Sequence, residues 1–441
     1  MRRALSRARR SAAANASLVG VLLAAGAAWP CAADAQVFGQ LLDSEIPLTT
    51  QTGRNQGVLE RPKPELAPIG LPLGSFRLYP DVSAGVGVTT NVVGASVDAR
   101  SDTFATFSPQ LTLRSDWGRH QLNGIVNYSA VRYRWTSPRD EDAFLAELSG
   151  RLDVVGESQI SGAASYRRTY ESQQEANFPV NGAGSVAVDQ ARGMLRAAVV
   201  TNRLRWTFSG DLNTFRYGDT ISTTGARLDL SFRDRDVYRG TVRAEYQLSP
   251  DNSIFAQGTY RRTDYVTTNE LDDRTSSEWR GGIGAIADVS ELLRVAGGIG
   301  YFRRTYANPV FVPIGGIAID LRADYYLSPL TTISAVVSRQ PEDAAVRGSP
   351  GYIASRTGLR VNHELLRSLV PYIGLDYFTG TFKNFNRKDT GIIALGGFDY
   401  TLNRRWVLSL DANYSSRQSS GTQRAPGINE FRALTSMKFR I

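Results

Sequence analysis

The sequence predicts an all-β fold, a transmembrane antiparallel up-and-down β-barrel of about 18 strands, and three observations carry that prediction. About eighteen segments alternate apolar and polar residues, the connections between them alternate short and long, and the chain opens with an export segment. A soluble sheet shares the first of these but has no reason to keep the second.

The stretch Val237 to Val266 displays the rule. Tyr238, Gly240, Val242, Ala244, Tyr246 and Leu248 hold one parity, and Arg239, Thr241, Arg243, Glu245 and Gln247 the other. Successive β side chains point to opposite faces, so the segment has one apolar and one charged wall. Ser249-Pro250-Asp251-Asn252 supplies turn chemistry. Alternation then resumes with Ile254, Ala256, Gly258 and Tyr260 against Ser253, Gln257, Thr259 and Arg261. This is a hairpin, apolar outside and polar inside.

Taken in order, residues 1–35 read as a secretory signal peptide. Arg2, Arg3, Arg7, Arg9 and Arg10 form its basic start, Leu18 to Ala28 its short apolar run, and Ala33-Asp34-Ala35 a small-residue site with cleavage after Ala35. Removing its five Arg and one Asp takes the formal charge from +9 to +5. Cys31 goes with it, so the mature chain has no cysteine and no thiol chemistry. Residues 36–75 lack hydrophobic periodicity, and Pro62, Pro64, Pro68 and Pro72 make their second half an extended periplasmic tether. Such a leader is too short for a globular plug, which argues against a TonB-dependent receptor and against an insertase.

Residues 76–441 are the barrel, with no apolar run long enough for a transmembrane helix. Its apolar parity opens at Leu78, Val82, Ala84, Val86 and Val88, recurs through Leu122 to Ala130, Leu204 to Leu212 and Val295 to Tyr301, and closes at Phe431 to Ile441. Eight short connections, such as Trp117-Gly118-Arg119 and Ser328-Pro329-Leu330, alternate with nine longer ones, among them Glu171 to Ala187 and Gly218 to Asp236. Turns on one rim and loops on the other make the asymmetry of an outer-membrane barrel. An even strand number closes such a barrel with both ends on the periplasmic side. Tyr166, Tyr170, Tyr260, Tyr265, Tyr301 and Tyr306 at the loop ends, and Trp206, Tyr246, Tyr325, Tyr400 and Trp406 at the turn ends, predict two aromatic girdles.

Several short motifs carry a family resemblance. Gly74-Ser75-Phe76-Arg77-Leu78-Tyr79-Pro80, Ser115-Asp116-Trp117-Gly118-Arg119-His120, Arg233-Asp234-Arg235-Asp236, Tyr246-Gln247-Leu248-Ser249-Pro250, Asn362 to Arg367 and Leu402-Asn403-Arg404 follow one another in order. Together they resemble the putative β-barrel porin type 2 family of Gram-negative outer-membrane proteins, from about Gly74 to Ile441. The resemblance implies an outer-membrane barrel and a loose association with exopolysaccharide export, and it names no catalytic residue. Phe439-Arg440-Ile441 is similar to a barrel-assembly signal, with Ile in place of the usual terminal aromatic.

Charge defines the candidate sites. By parity Arg167, Arg192, Arg196, Arg205, Arg239, Arg243, Arg261, Arg280, Arg304, Arg322 and Arg360 face the lumen. Mixed with inward acids such as Asp211, Glu278, Asp324 and Asp399, they form either a salt-bridge lattice or a wall with a mild preference for anions or acidic glycans. Arg168, Arg262 and Arg303 face outward at the extracellular rim, where guanidinium matches lipopolysaccharide phosphate. Residues 171–187, with Asn177, Gly182 and Gly184, are the connection expected to fold inward as a constriction.

The expected function is a channel for polar solutes or an exported polysaccharide, with a non-conducting adhesive barrel as the alternative. A barrel-embedded lipid or glycan hydrolase is the weaker third reading: His120 and His363 lie by short turns, and no spacing suits a metal. Neither enzymatic activity, a cofactor nor nucleic acid is expected. Partners are outer-membrane lipid and lipopolysaccharide, the barrel-assembly machinery and polysaccharide-export components, in the outer membrane.

Overall fold

The computed structural model describes residues 56–179, 181–266, 269 and 272–441. The expected signal peptide with its cleavage after Ala35, and the first part of the expected leader, lie outside the described residues. Twenty-one strands are formed among the described residues. β1 (Leu71–Leu73) is a short one beside β2 (Phe76–Thr89), which is followed by β3 (Asp102–Ser115), β4 (Gln121–Tyr133), β5 (Glu141–Asp153), β6 (Gln159–Glu171), β7 (Val186–Thr201) and β8 (Leu204–Tyr217). β9 (Thr220–Ile221) and β10 (Arg227–Leu228) make a small separate hairpin. The wall continues with β11 (Arg235–Ser249), β12 (Asn252–Tyr265), β13 (Ser276–Ser290), β14 (Leu293–Tyr306), β15 (Ile314–Ser328) and β16 (Thr331–Glu342). β17 (Tyr352–His363), β18 (Leu369–Phe382), β19 (Lys388–Thr401), β20 (Trp406–Ser420) and β21 (Ile428–Arg440) complete it.

Each long strand pairs antiparallel with its sequence neighbour, and β21 returns to β2 from Asp81↔Arg440 to Thr89↔Arg432. The sheet therefore closes, as the alternation predicts, into 18 strands. Closure removes every sheet edge, the condition for β-structure to cross a bilayer with its backbone groups satisfied.

Burial is inverted relative to a soluble protein. Val86 is 68% exposed, Leu195 69% and Ile283 67%, while the inward Thr241 and Arg243 are each 3% exposed. An apolar side chain left in water forgoes roughly 1.5–3 kcal/mol, so a continuous outer belt of them is stable only against lipid. No helix among the described residues is long and apolar enough to cross a membrane, which says nothing about crossing by strands.

Two expectations are corrected, and a third gains detail. Residues 56–75 are not a free tether: they follow the rim of short turns, where Arg440 donates to the Leu66 carbonyl (2.8 Å), Arg404 to Glu65 (3.0 Å) and Arg367 to Pro62 (3.0 Å). Arg61 then pairs with Glu364 (2.6 Å), and the backbone N–H of the buried Val58 donates to the inward Thr332 hydroxyl (3.0 Å). Guanidinium donors along the turns satisfy the leader's own carbonyls, which a backbone poor in N–H groups at its prolines cannot satisfy by itself. Second, residues 218–234 are a connection between long strands, as expected, and within it form the β9–β10 hairpin and a 3-10 turn at Ser231–Arg233, where Leu230 and Phe232 pack on Phe178 and Val186. Third, Tyr265 and Tyr306 point inward rather than into a girdle, Tyr265 against the Arg274 guanidinium (4.6 Å) and Tyr306 against Phe302 and Ile314. Their odd offset from Tyr260 and Tyr301 already places them on the inner parity.

Inward aromatics lie flat over glycines of the next strand. A Cβ on Gly284 would meet the Phe255 ring at 2.2 Å, and one on Gly391 would meet the Phe378 ring at 2.2 Å and the Ser416 carbonyl at 2.7 Å. Gly391→Ala is expected to destabilise the barrel by about 1–3 kcal/mol through overpacking. The heat-induced mobility shift of the folded barrel in detergent gels should occur at lower temperature; an unchanged transition would contradict this.

Candidate functional site

The lumen is polar because every strand turns its second parity inward. Arg239 makes two bonds to Asp211 (2.8 and 3.0 Å), Arg280 pairs with Glu278 (3.1 Å) and Arg322 with Asp324 (2.8 Å). Arg243 clasps Gln257 (2.6 and 2.8 Å) above the Phe255 ring, Arg360 reaches Asn362 (3.2 Å) above Tyr372, and Arg167 donates to Gln190. Arg192 and Arg196 flank the Met194 sulfur. Arg205 sits at the periplasmic rim in an exposed pair with Glu157 (3.3 Å). Pairing of this kind holds the inner charges in place as a lattice.

The charges are nevertheless sorted around the barrel. Arg192, Arg196, Arg239, Arg243, Arg261, Arg280 and Arg304 occupy β7 and β11–β14, whereas Asp376, Asp399, Asp411 and Asp81 occupy β18–β20 and β2. β11 is the eighth strand of the closed wall and β20 the seventeenth, half a circumference away. A basic arc therefore faces an acidic one, and low-dielectric walls focus the resulting field across the passage.

Residues 172–179 and 181–185 fold into the mouth, and their bonds reach across it. Gln174 donates to Glu430 (3.4 Å), Arg417 donates to the Glu175 carbonyl, and Arg387 donates to the Ala176 carbonyl (3.2 Å). Asn177 then bridges to residues 343–351, donating to the Asp343 carbonyl (3.0 Å) and accepting from the Ala345 N–H (2.9 Å). Phe178 returns the chain to β7. Gly182 makes a bridge to Ser222, and Gly184 offers its carbonyl to Arg139 (2.8 Å). The connection thus spans from β6 and β7 to β19–β21.

The far anchor is an arginine cluster: parity turns Arg261 and Arg304 inward, but the sequence does not single out Asp343, the carboxylate they share. Asp343 pairs with Arg261 (2.9 Å), Arg304 (2.6 Å) and Arg235 (3.2 Å), and Arg304 also holds Glu278 (2.7 Å). Arg274 donates to the Ala344 carbonyl, and Arg233 holds Glu171. Burial alone would raise the Asp343 carboxyl; Arg261, Arg304, Arg235 and Arg274 outweigh it and hold the group below the usual carboxylate range. The one signal in the sequence is an acidic pair, Glu342-Asp343, opening a long connection.

Glu175 behaves in the opposite sense. Its depth in the mouth pushes its carboxyl well above the usual range, and the Glu171 charge adds to that against the Ser172 N–H, Arg233 and Arg417. A raised folded value means that the docked state binds the proton more tightly. Its stability is complete below the unfolded carboxylate value near about 4.3 and is lost as pH rises through the folded value. Proteolysis within residues 172–185 should accelerate as pH rises, and Glu175→Gln should flatten that profile. Identical profiles for both proteins would overturn the assignment.

At the outer rim, four of six outward arginines on the strands are neutralised. Arg168 pairs with Asp189 (2.8 Å), Arg262 with Asp264 (2.9 Å), Arg132 with Asp142 (2.5 Å) and Arg216 with Asp236 (2.9 Å). Arg303 lies between Trp279 and Gly315 without an acidic partner among the described residues. Arg339 donates to the Ile317 carbonyl (3.2 Å) and also lacks one. His120 and His363 are tied into the turn rim by Asp153 and Thr331, and no cluster among the described residues could hold a metal ion.

The family model described as Putative beta-barrel porin 2 matches residues 63–433. The chain belongs to that family. It is a porin-like outer-membrane β-barrel, closed at 18 strands. Its barrel is similar to that of OccK2 (OpdF) of Pseudomonas aeruginosa, at 12% identity and a TM-score of 0.45 over 82% of this chain and 98% of that one. It is also similar to OpdK of Pseudomonas aeruginosa solved with vanillate (8% identity, TM-score 0.43, 82% and 99% covered) and to the siderophore receptor PirA of the same organism (9%, 0.43, 83% and 80%). No curated protein matches the chain.

Proposed function

We propose that this porin-like barrel passes small polar solutes across the outer membrane through a mouth narrowed by residues 172–185, and that it works by diffusion rather than catalysis. The carrying observation is that this segment is bonded to Glu430, Arg417, Arg387 and residues 343–345 on the far wall. A strut so fixed filters by size and favours solutes over an exported polysaccharide, whose chain would need the mouth clear. The basic arc favours anions within that class. Reversal potentials of the mature protein in a planar bilayer under a salt gradient test the preference: an anion-selective sign is expected, and a cation-selective sign overturns it.

For the outer surface, the rim arginine that receives lipopolysaccharide phosphate is Arg303, with Arg339, while Arg168 and Arg262 are held by their own acids. Replacing Arg303 and Arg339 together by Gln should lower the lipopolysaccharide that co-purifies with the barrel. Unchanged retention would remove this assignment.

A further inference from the structure

Below the Asp343 cluster the inner wall loses its side chains. Gly282 and Gly284 of β13 pair in register with Gly300 and Gly298 of β14, and Ala318 of β15 follows beside Gly300. The inward parity here is bare backbone, so the wall forms a recess opening onto about 710 Å³ of the lumen. The Phe255 ring, lying over Gly284, gives the recess a flat end.

Beside the Phe255 end, the border of the recess carries polar groups. Arg243 and Gln257 stand on one flank, Arg280 above, and Asp320, Ser338 and Gln340 on the other. Two of these groups carry a polar atom without a hydrogen-bond partner. Ser338 is only 4% exposed and its hydroxyl has no hydrogen-bond partner, and the Arg280 Nε is likewise buried without one, although its Nη2 holds Glu278. A buried polar group left unpaired is costly, and either one gains a bond if its side chain turns toward a ligand in the recess.

We propose that this recess binds a small hydroxylated carboxylate of the sugar-acid class. Two guanidinium groups against the single Asp320 carboxylate set the preference for an anion, and planar guanidinium suits carboxylate geometry. The carboxamides of Gln257 and Gln340 and the Ser338 hydroxyl match hydroxyl groups, which both donate and accept. The bare glycine floor admits a ring face that any side chain there would exclude. The site rests on the channel reading for its role, since it lies inside the passage on the periplasmic side of the constriction.

The test is isothermal titration of detergent-solubilised mature protein with sodium glucuronate, with glucose and sodium chloride as controls, run beside single-channel recording. Glucuronate should bind saturably and glucose should not. Arg243→Gln should weaken binding by about tenfold, the loss of one charge-assisted hydrogen bond, and Ser338→Ala should weaken it by a smaller factor. Both variants must keep the heat-modifiable mobility of a folded barrel, and Ser338→Ala, which removes one oxygen atom, carries the test if Arg243→Gln does not fold. Absence of glucuronate binding, or binding equally tight in both variants, overturns the site even if the channel conducts. Binding by a protein that does not conduct leaves the site standing and removes the channel reading instead.

Discussion

Excising residues 173–184, so that β6 runs through a short turn into β7, is expected to raise single-channel conductance several-fold. The excision removes the bonds from Glu430, Arg417, Arg387 and Asp343 that hold the strut across the mouth. The barrel should survive, because the β6–β7 ladder from Gln159↔Ala198 to Glu171↔Val186 lies outside the deletion. Arg233 would keep Glu171 as its partner. Recording refolded residues 36–441 with and without the segment measures the effect. Equal conductance would place the narrowest point elsewhere, most simply at the periplasmic mouth, where residues 56–66 line the turns. Silence in both proteins would favour the adhesive, non-conducting alternative over the channel.

Asp343→Ala is expected to cost about 3–5 kcal/mol in the local stability of the mouth, the range for breaking a buried ion pair and leaving its partners uncompensated. Three guanidinium groups, those of Arg261, Arg304 and Arg235, converge on this carboxylate, and without it they repel one another, with Glu278 on Arg304 and the neighbouring Glu342 left to offset them. Residues 343–351 should then detach, taking with them the two bonds to Asn177. Hydrogen exchange across residues 343–351 would report this as lost protection, and unchanged protection would contradict it. The pH dependence follows from the depressed carboxyl. Its contribution is present above the unfolded value near about 3.9 and is lost only as pH falls through the lower folded value. The wild-type mouth should therefore loosen in strong acid, whereas the variant should show no such acid step.

These two expectations meet at Asn177, and only one side of that contact was legible beforehand. The length and polarity of residues 171–187 mark them as the segment to fold inward, because a long polar connection has few apolar contacts to hold it upright. Nothing in the spacing of Asp343 marks it as the receiving anchor, since its partners Arg235, Arg261 and Arg304 stand on three different strands. The same applies to the leader: four prolines predict an extended chain, but not that Glu364, Arg367, Arg404 and Arg440 would capture it. The recess was hidden differently. Gly282, Gly284, Gly298 and Gly300 look like weak strand residues until register places them side by side.

What the sequence by itself determined is the barrel: a side-chain period of two is a property of each strand alone, so alternation names the lipid wall and the water wall without knowledge of any neighbour. Connection length likewise separates the two rims. What only the tertiary structure decided is which inward groups meet across the lumen. Closure brings β6 and β7 within reach of β19–β21 across the mouth over more than two hundred residues of chain separation, and a contact made through closure leaves no periodic trace in the order of the residues.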